Sequence, residues 1–376
     1  MHRRRLALIA AAMCATAFMS PPSAAHPPSD NPLHTPMDKA VDAAATAYFS
    51  DSCHTGLSIS AVAAEGARIY NYGVADRKRS ILPTADSVYE IASVTKSFTA
   101  SLAAMAVHEG KMTLEGDFRR YLSSTYPNLA ADDHPVTLAT LLTHRSGMPR
   151  DIPDSDAIFA AKNPRTLPAQ LLALNRGRDE SDFLRDLHHT ALQGQPGKEE
   201  RYSNAGFLLI GAGLEHVYRV PYASLLQERI LTPLGMTSTT LTLSPKLTSR
   251  QVIGYDQFGE PAPQHPANAG AAWGLWSTPN DLARFVRWQL DETNPVIALS
   301  HKPLAHGDDE DIAMAWHVES LNGLKVISHG GGSFGASSQI VLFPQRDQGF
   351  ALLANDTCKG TEGALKTFAL TVERGL

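Results

Sequence analysis

A serine stands three residues before a lysine at Ser93-Val94-Thr95-Lys96. Positions i and i+3 share one face of a helix, so a helix opening here brings the serine hydroxyl within hydrogen-bond reach of the lysine nitrogen. A serine hydroxyl is a weak nucleophile until a neighbouring base takes its proton. Lysine can be that base when burial or nearby positive charge lowers its pKa toward neutrality. Phe98, Leu102, Ala103, Met105 and Val107 follow, so Lys96 enters an apolar helix, an unusual place for a solvated lysine. No other lysine of the chain has a serine three positions before it. The same spacing also occurs by accident on surface helices; here the apolar run makes Ser93 and Lys96 a candidate nucleophile and base.

Two further patterns can complete such a site. In Tyr202-Ser203-Asn204 the phenol can shuttle a proton and the amide can orient both lysine and substrate. Tyr126-Pro127-Asn128 matches that pattern too, but it sits in an irregular stretch and reads as a turn, whereas the later copy leads into an apolar helical run over 205–216. His329-Gly330-Gly331-Gly332 follows a strand pattern over 325–328. Glycines there let a substrate approach and leave backbone N–H groups free to hold an oxyanion; a hairpin turn would use the same glycines. Gly331-Gly332-Ser333-Phe334-Gly335 also matches the G-x-S-x-G elbow, which requires a following helix and a later histidine. A strand pattern follows, and His329 is the last histidine, so that reading fails.

The surrounding periodicities predict the elements that position these residues. A helix is expected over 37–49, a strand over 57–64 and its hairpin partner over 67–73 across Glu65-Gly66. The helix bearing Lys96 ends at Gly110. Residues 111–270 read as short helices at 138–143, 168–174 and 206–216, separated by turn-rich loops at 151–165 and 193–200. A capped helix opens at Ser277-Thr278-Pro279, strands are expected at 324–328, 338–343 and 349–355, and a helix at 362–372. Strands at both ends with helices between predict an α+β fold. Its mixed or antiparallel sheet, flanked by helices, would come from 37–110 and 271–376, with 111–270 as a helical insertion and one catalytic unit overall.

Residues 1–25 have the composition of an export signal: Arg3, Arg4 and Arg5, an apolar run over 6–19, and Ser23-Ala24-Ala25 before the expected cut. That run is too short to span a bilayer, which takes about 20 residues, so no stable membrane anchor is expected. Residues 26–36, rich in proline and polar side chains, should form a flexible leader. Loss of the signal leaves 30 basic against 38 acidic residues, a net charge of −8 with histidine neutral. Without a basic run interleaved with aromatics, nucleic acid is excluded as a partner. Cys53 and Cys358 are the two cysteines outside the signal. In an oxidising compartment they can pair, and buried free thiols are the alternative. Neither they nor the adjacent His188-His189 provide a tetrahedral ligand set, so no metal and no cofactor are expected.

The three patterns, in this order, resemble the active-site motifs of the serine β-lactamase and penicillin-binding protein superfamily. The similarity is greatest to its class C β-lactamase-like branch, with its D-alanyl-D-alanine carboxypeptidases, D-aminopeptidases and esterases. Ile91-Ala92, the run from Leu141 through His144 to Gly147, and Gly274-Leu275-Trp276-Ser277-Thr278 are similar to that family as well. The resemblance implies that Ser93 forms an acyl-enzyme while Lys96 and Tyr202 exchange protons. It implies that Asn204 positions the substrate amide and that the N–H groups of Ser93 and Gly332, beside His329 and Gly331, hold the oxyanion. It also implies a sheet whose first and last strands are antiparallel neighbours, which would bring Cys53 near Cys358 for a disulfide. The third motif departs from the Lys-Thr-Gly of the best-known β-lactamases, whose lysine and threonine help to hold a substrate carboxylate. Histidine is at most partly charged at neutral pH, and glycine has no hydroxyl, which favours a peptidase or esterase over a β-lactamase.

The reading is therefore a periplasmic or secreted serine hydrolase, D-alanyl-D-alanine carboxypeptidase-like, acting on a small-molecule or cell-wall peptide substrate. An esterase or β-lactamase of the same fold is the alternative within the class. A non-catalytic cell-wall or ligand-binding module is the alternative outside it.

Overall fold

Two strands near the start of the chain and six near its end share one sheet. They are β1 (Gly56–Ala63), β2 (Gly66–Gly73), β3 (Ala305–His306), β4 (Asp311–Ile312), β5 (His317–Leu321), β6 (Leu324–Gly332), β7 (Ser337–Phe343) and β8 (Gln348–Ala354). The spatial order is β2-β1-β8-β7-β6-β5-β4-β3, and every pairing is antiparallel rather than mixed. The computed structural model describes residues 26–307 and 310–376; the export signal read over 1–25 lies outside them.

Helices cover both faces. On β8, Phe350, Leu352 and Ala354 point into a core shared with α1 (Pro36–Tyr48) and the C-terminal helix Thr361–Arg374. Ala351 and Leu353, between them, point into the larger core on the other face. That two-residue alternation leaves no strand face for water, and all of β7 and β8 is buried. The larger core surrounds α2 (Thr95–His108), whose Phe98 stacks on Phe285 of the helix Pro279–Gln289 at 3.8 Å between centroids. Thr278 caps that helix by accepting from the Asp281 N–H. A third helix against this core, α3 (Asn204–Tyr218), starts at the capping hydroxyl of Ser203. No helix among the described residues is long and apolar enough to cross a membrane.

Tertiary contacts move several expected features. The leader is not loose: the Asn31 side chain both donates to and accepts from the Asn71 backbone on β2, at 2.8 and 2.9 Å. His26 reaches Asp42 of α1 at 2.8 Å. These contacts cover part of an otherwise bare sheet edge. The first hairpin pairs Ala63 with Gly66, so its turn is Ala64-Glu65 and not Glu65-Gly66. The loop over 151–165 holds a short helix, Asp156–Ala160. The third motif is not a hairpin turn, because β6 continues through Gly332 in register with β7. Asn128 of the earlier Tyr-x-Asn copy is structural, donating at 2.7 Å to the carbonyls of Leu187 and Thr190.

Cys53 and Cys358 are joined by a disulfide with 6.0 Å between Cα atoms, closing a loop between residues 305 apart in sequence. Because β1 and β8 pair with Leu57 opposite Ala354, the cysteines lie just beyond the same end of that pair. Closing a long loop restricts the unfolded chain, typically by about 2–5 kcal/mol. Cys53→Ser is expected to lower stability by that order in urea unfolding, and reductant should lower the wild type alone. Equal midpoints for both proteins, with and without reductant, would show that the bond carries no stability.

Candidate active site

Ser93 lies in a one-turn 3-10 segment, Ala92–Val94, that runs directly into α2. Neighbouring backbone holds the segment. Tyr89–Glu90 pairs with Trp276–Ser277, the Ile91 N–H donates to the Leu275 carbonyl at 3.0 Å, and the Ser338 hydroxyl donates to the Ile91 carbonyl at 2.7 Å. Ala92 has a φ of 44°, in the left-handed region that a residue with a Cβ adopts only at a cost. The turn thus presents Ser93 partly exposed at the head of a buried helix.

Lys96 is fully buried one turn later. Its Nζ is 2.8 Å from Asn204 Oδ1, 2.9 Å from the Ala272 carbonyl and 3.3 Å from Ser93 Oγ. Burial, reinforced by the charge of Arg150, drives its pKa well below the ordinary lysine value. A neutral amine has two N–H groups and one lone pair. In that form Asn204 and Ala272 would accept the two N–H groups, which would leave the lone pair for the Ser93 proton. Tyr202 completes the group, with its hydroxyl 2.6 Å from Ser93 Oγ. Burial, partly offset by the bond to Ser93, pushes its pKa up to about 12, so it stays protonated and can donate.

The rest of the first two motifs is anchored through residues that sequence reasoning gave no role. Asp151 accepts from Asn204 Nδ2 at 2.9 Å, which turns Oδ1 toward Lys96. His144 accepts the Ser203 N–H on Nδ1 at 3.2 Å and lies 4.3 Å from the Tyr202 ring. Burial holds the His144 pKa well below its usual value, in keeping with a neutral ring that accepts on Nδ1. His144 stood in a family-like run, but nothing in its spacing tied it to Tyr202. Asp151 lay in a loop with no readable pattern, and Ala272 contributes only a carbonyl, which no side-chain signal reveals.

β6 forms the opposite wall. A Cβ on Gly331 would lie 2.7 Å from the Ile91 carbonyl oxygen and 2.8 Å from the Ser93 nitrogen, so only glycine allows strand and nucleophile turn to meet. Gly332 follows on the strand, partly exposed. His329 is buried, with Nδ1 bonded to the Ala315 carbonyl. Burial, with neighbouring His317 and Lys96, lowers its pKa to about 3, so it is neutral at physiological pH. A cavity of about 390 Å³ opens beside Asn204 and Asp151, with apolar walls that include Ile152, Phe183, Leu208 and Trp273. The one group of described side chains clustered closely enough to suggest metal ligands is His54, Asp356 and Cys358, and its Cys358 sulfur is committed to the disulfide.

This arrangement predicts two separable effects of Lys96. Lys96→Ala should lower kcat/KM for an activated ester by about 10²–10⁴-fold, the usual worth of a positioned base. Because its folded pKa is depressed, the unfolded chain binds the extra proton between that value and 10.5, so wild-type stability recovers as pH rises through this window. The stability of wild type relative to Lys96→Met should therefore rise from about pH 7 to about pH 10. A flat difference would mean that the lysine stays charged and is no base.

The chain is similar to known proteins along most of its length. The family described as Beta-lactamase matches residues 44–371. Protein flp of Staphylococcus aureus (strain N315) is 28% identical over 299 residues, covering 76% of this chain and 56% of that protein. This chain thus spans little more than half the length of that relative. A Beta-lactamase of Lysobacter lactamgenus is 29% identical over 287 residues, covering 75% of this chain and 66% of that protein. Among solved structures, a Beta-Lactamase/D-Alanine Carboxypeptidase from Pseudomonas syringae superposes with a TM-score of 0.75 at 20% identity. That superposition covers 90% of this chain and 99% of the other.

Proposed function

The chain belongs to the beta-lactamase family, and from that premise we propose that it is an exported serine hydrolase working through an acyl-enzyme on Ser93. The observation that carries this reading is the fully buried Lys96, whose pKa burial lowers and whose Nζ is held by Asn204 and Ala272 within reach of Ser93 Oγ. As Ser93 Oγ bonds to the substrate carbonyl carbon, its proton passes to Lys96 Nζ. The carbonyl oxygen, now an oxyanion, is held by the N–H groups of Ser93 and Gly332. The bond to the leaving group then breaks, and the departing atom takes a proton from Tyr202, which Lys96 replenishes. Water, deprotonated through the same pair, attacks the ester carbonyl and frees Ser93 Oγ. Asn204 holds the substrate amide as well as the lysine.

The leading substrate is a peptide bond to a D-residue, as met by an exported enzyme beside the cell wall and as processed by a D-alanyl-D-alanine carboxypeptidase. A neutral His329 and a hydroxyl-free Gly330 favour a second reading, an ester without a terminal carboxylate. Export to the periplasm or medium is supported by the signal-like composition of residues 1–25 and by the Cys53–Cys358 bond, which needs an oxidising compartment.

Intact mass after incubation with a penicillin, on wild type and Ser93→Ala side by side, tests the nucleophile. A covalent adduct on the wild type alone identifies Ser93 as the nucleophile, whereas neither adduct nor drug hydrolysis turns the substrate toward esters and amides without a terminal carboxylate. With a chromogenic ester the wild type should show a burst followed by turnover. Absence of burst and turnover with every ester and amide donor would favour a non-catalytic binding module, and turnover by Ser93→Ala would sink the proposal.

A further inference from the structure

The wall opposite Tyr202 carries a charge that none of the three motifs contains. The C-terminal helix, Thr361–Arg374, begins beside β6 and places Glu362 in its first turn. Glu362 is an exposed residue whose carboxylate nonetheless lies against the strand that flanks Ser93. A Cβ on Gly332 would be 2.5 Å from one of its oxygens, and a Cβ on Gly330 would be 3.3 Å from the other. Both glycines therefore leave room for this carboxylate on one face of β6, while Gly331 meets the nucleophile turn on the other. No cation closes an ion pair with Glu362 among the described residues.

The charged groups that bear on it are Arg150 and Lys96. Lys96 is committed to Ser93, Asn204 and Ala272. Arg150 belongs to the other wall, 5.2 Å from the Tyr202 ring and 3.8 Å from Asp151. Packing of the carboxylate against β6 desolvates it and raises the Glu362 pKa, although the residue as a whole is exposed, and both cations pull it back down. Along β6, where a donor held at Gly332 must lie, His329 is neutral and Gly330 bears no side chain. The charge that a donor meets on that side is negative.

We propose that Glu362 is a specificity-determining residue that turns away acyl donors bearing a carboxylate on the leaving group and favours neutral or cationic leaving groups. The inference rests on the acyl-transfer reading above and, within it, ranks the ester without a terminal carboxylate over the carboxypeptidase-like substrate. A free C-terminal carboxylate, which a carboxypeptidase must accept, is disfavoured. Esters, amides, and peptides whose leaving residue is blocked or carries an amine are preferred. The physical basis is the Coulomb term between two charges a few ångströms apart at a partly wetted surface, enough for about tenfold discrimination or more.

The test uses esters with one shared uncharged acyl group and three leaving alcohols: neutral, carboxylate-bearing and quaternary-ammonium-bearing. Wild type, Glu362→Gln and Glu362→Lys are compared at about pH 8, where a carboxyl with a moderately raised pKa is ionised. The readout is the ratio of kcat/KM values within each protein, so that any loss of folded enzyme cancels. In wild type the carboxylate donor should be poorer than the neutral one by about tenfold. Glu362→Gln should remove most of that gap, and Glu362→Lys should reverse the ranking. A matched set with the charge on the acyl side should respond weakly.

A ranking unmoved by either substitution overturns the proposal, as does a response confined to acyl-side charge. A preference for the carboxylate donor that is already present in wild type overturns it too, and points to Arg150 as the reader of charge. Failure of wild type to be acylated by any donor counts instead against the acyl-transfer reading.

Discussion

Everything at the site follows from burying one amine. A lysine taken wholly out of water cannot keep its proton cheaply, and Lys96 is fully buried at the start of α2. Its remaining hydrogen-bonding capacity has to be met inside the protein, and it is met from far along the chain, by Asn204 and by the carbonyl of Ala272. Those two partners do more than stabilise the amine. They decide which of its three directions is left for Ser93. In the proposed mechanism desolvation makes the base, and the partners aim it.

The aim depends on supports that do no chemistry. Asp151 orients the Asn204 amide, and His144, itself neutral by burial, holds the Ser203 backbone and packs beside the Tyr202 ring. On the other side, the left-handed Ala92 and the side-chain-free Gly331 let the nucleophile turn come against β6. A Cβ at Gly331 would clash with the Ser93 nitrogen and force strand and turn apart. Backbone strain at Ala92 and close approach at Gly331 are therefore parts of one device, a serine pushed forward at the edge of a sheet.

The sheet itself is built from both ends of the chain. β1 pairs with β8, and the Cys53–Cys358 bond lies just past the end of that pair. Between them the chain leaves to build the helical wall with Tyr202 and Asn204, then returns through Leu275 and Trp276 to hydrogen-bond the segment before Ser93. A cleft made this way has walls of different origin and different charge. The helical wall offers Arg150 and Asp151, whereas the strand wall has a neutral His329 and, over its glycines, Glu362. Substrate selection can then change by substitution on one wall while the proton-transfer groups stay in place.

What the sequence by itself determined is what short-range periodicity encodes. Ser93 and Lys96 lie one helical turn apart, so their meeting was legible before any fold, and the apolar residues after them signalled burial. Strand alternation marked β1, β7 and β8 to within a residue or two, and the motif order located Tyr202, Asn204 and the β6 glycines. Only the tertiary structure decided the partners that share no local pattern with what they touch. Asp151 looked like part of a loop, Ala272 acts through its backbone, Asn31 pins a stretch that composition alone describes as loose, and Glu362 reads in sequence as an ordinary acid in a first helical turn. A side chain's own turn or strand is written in its neighbours. The opposite wall of a cleft is set by packing between segments hundreds of residues apart, and a single chain read in order carries no record of that distance.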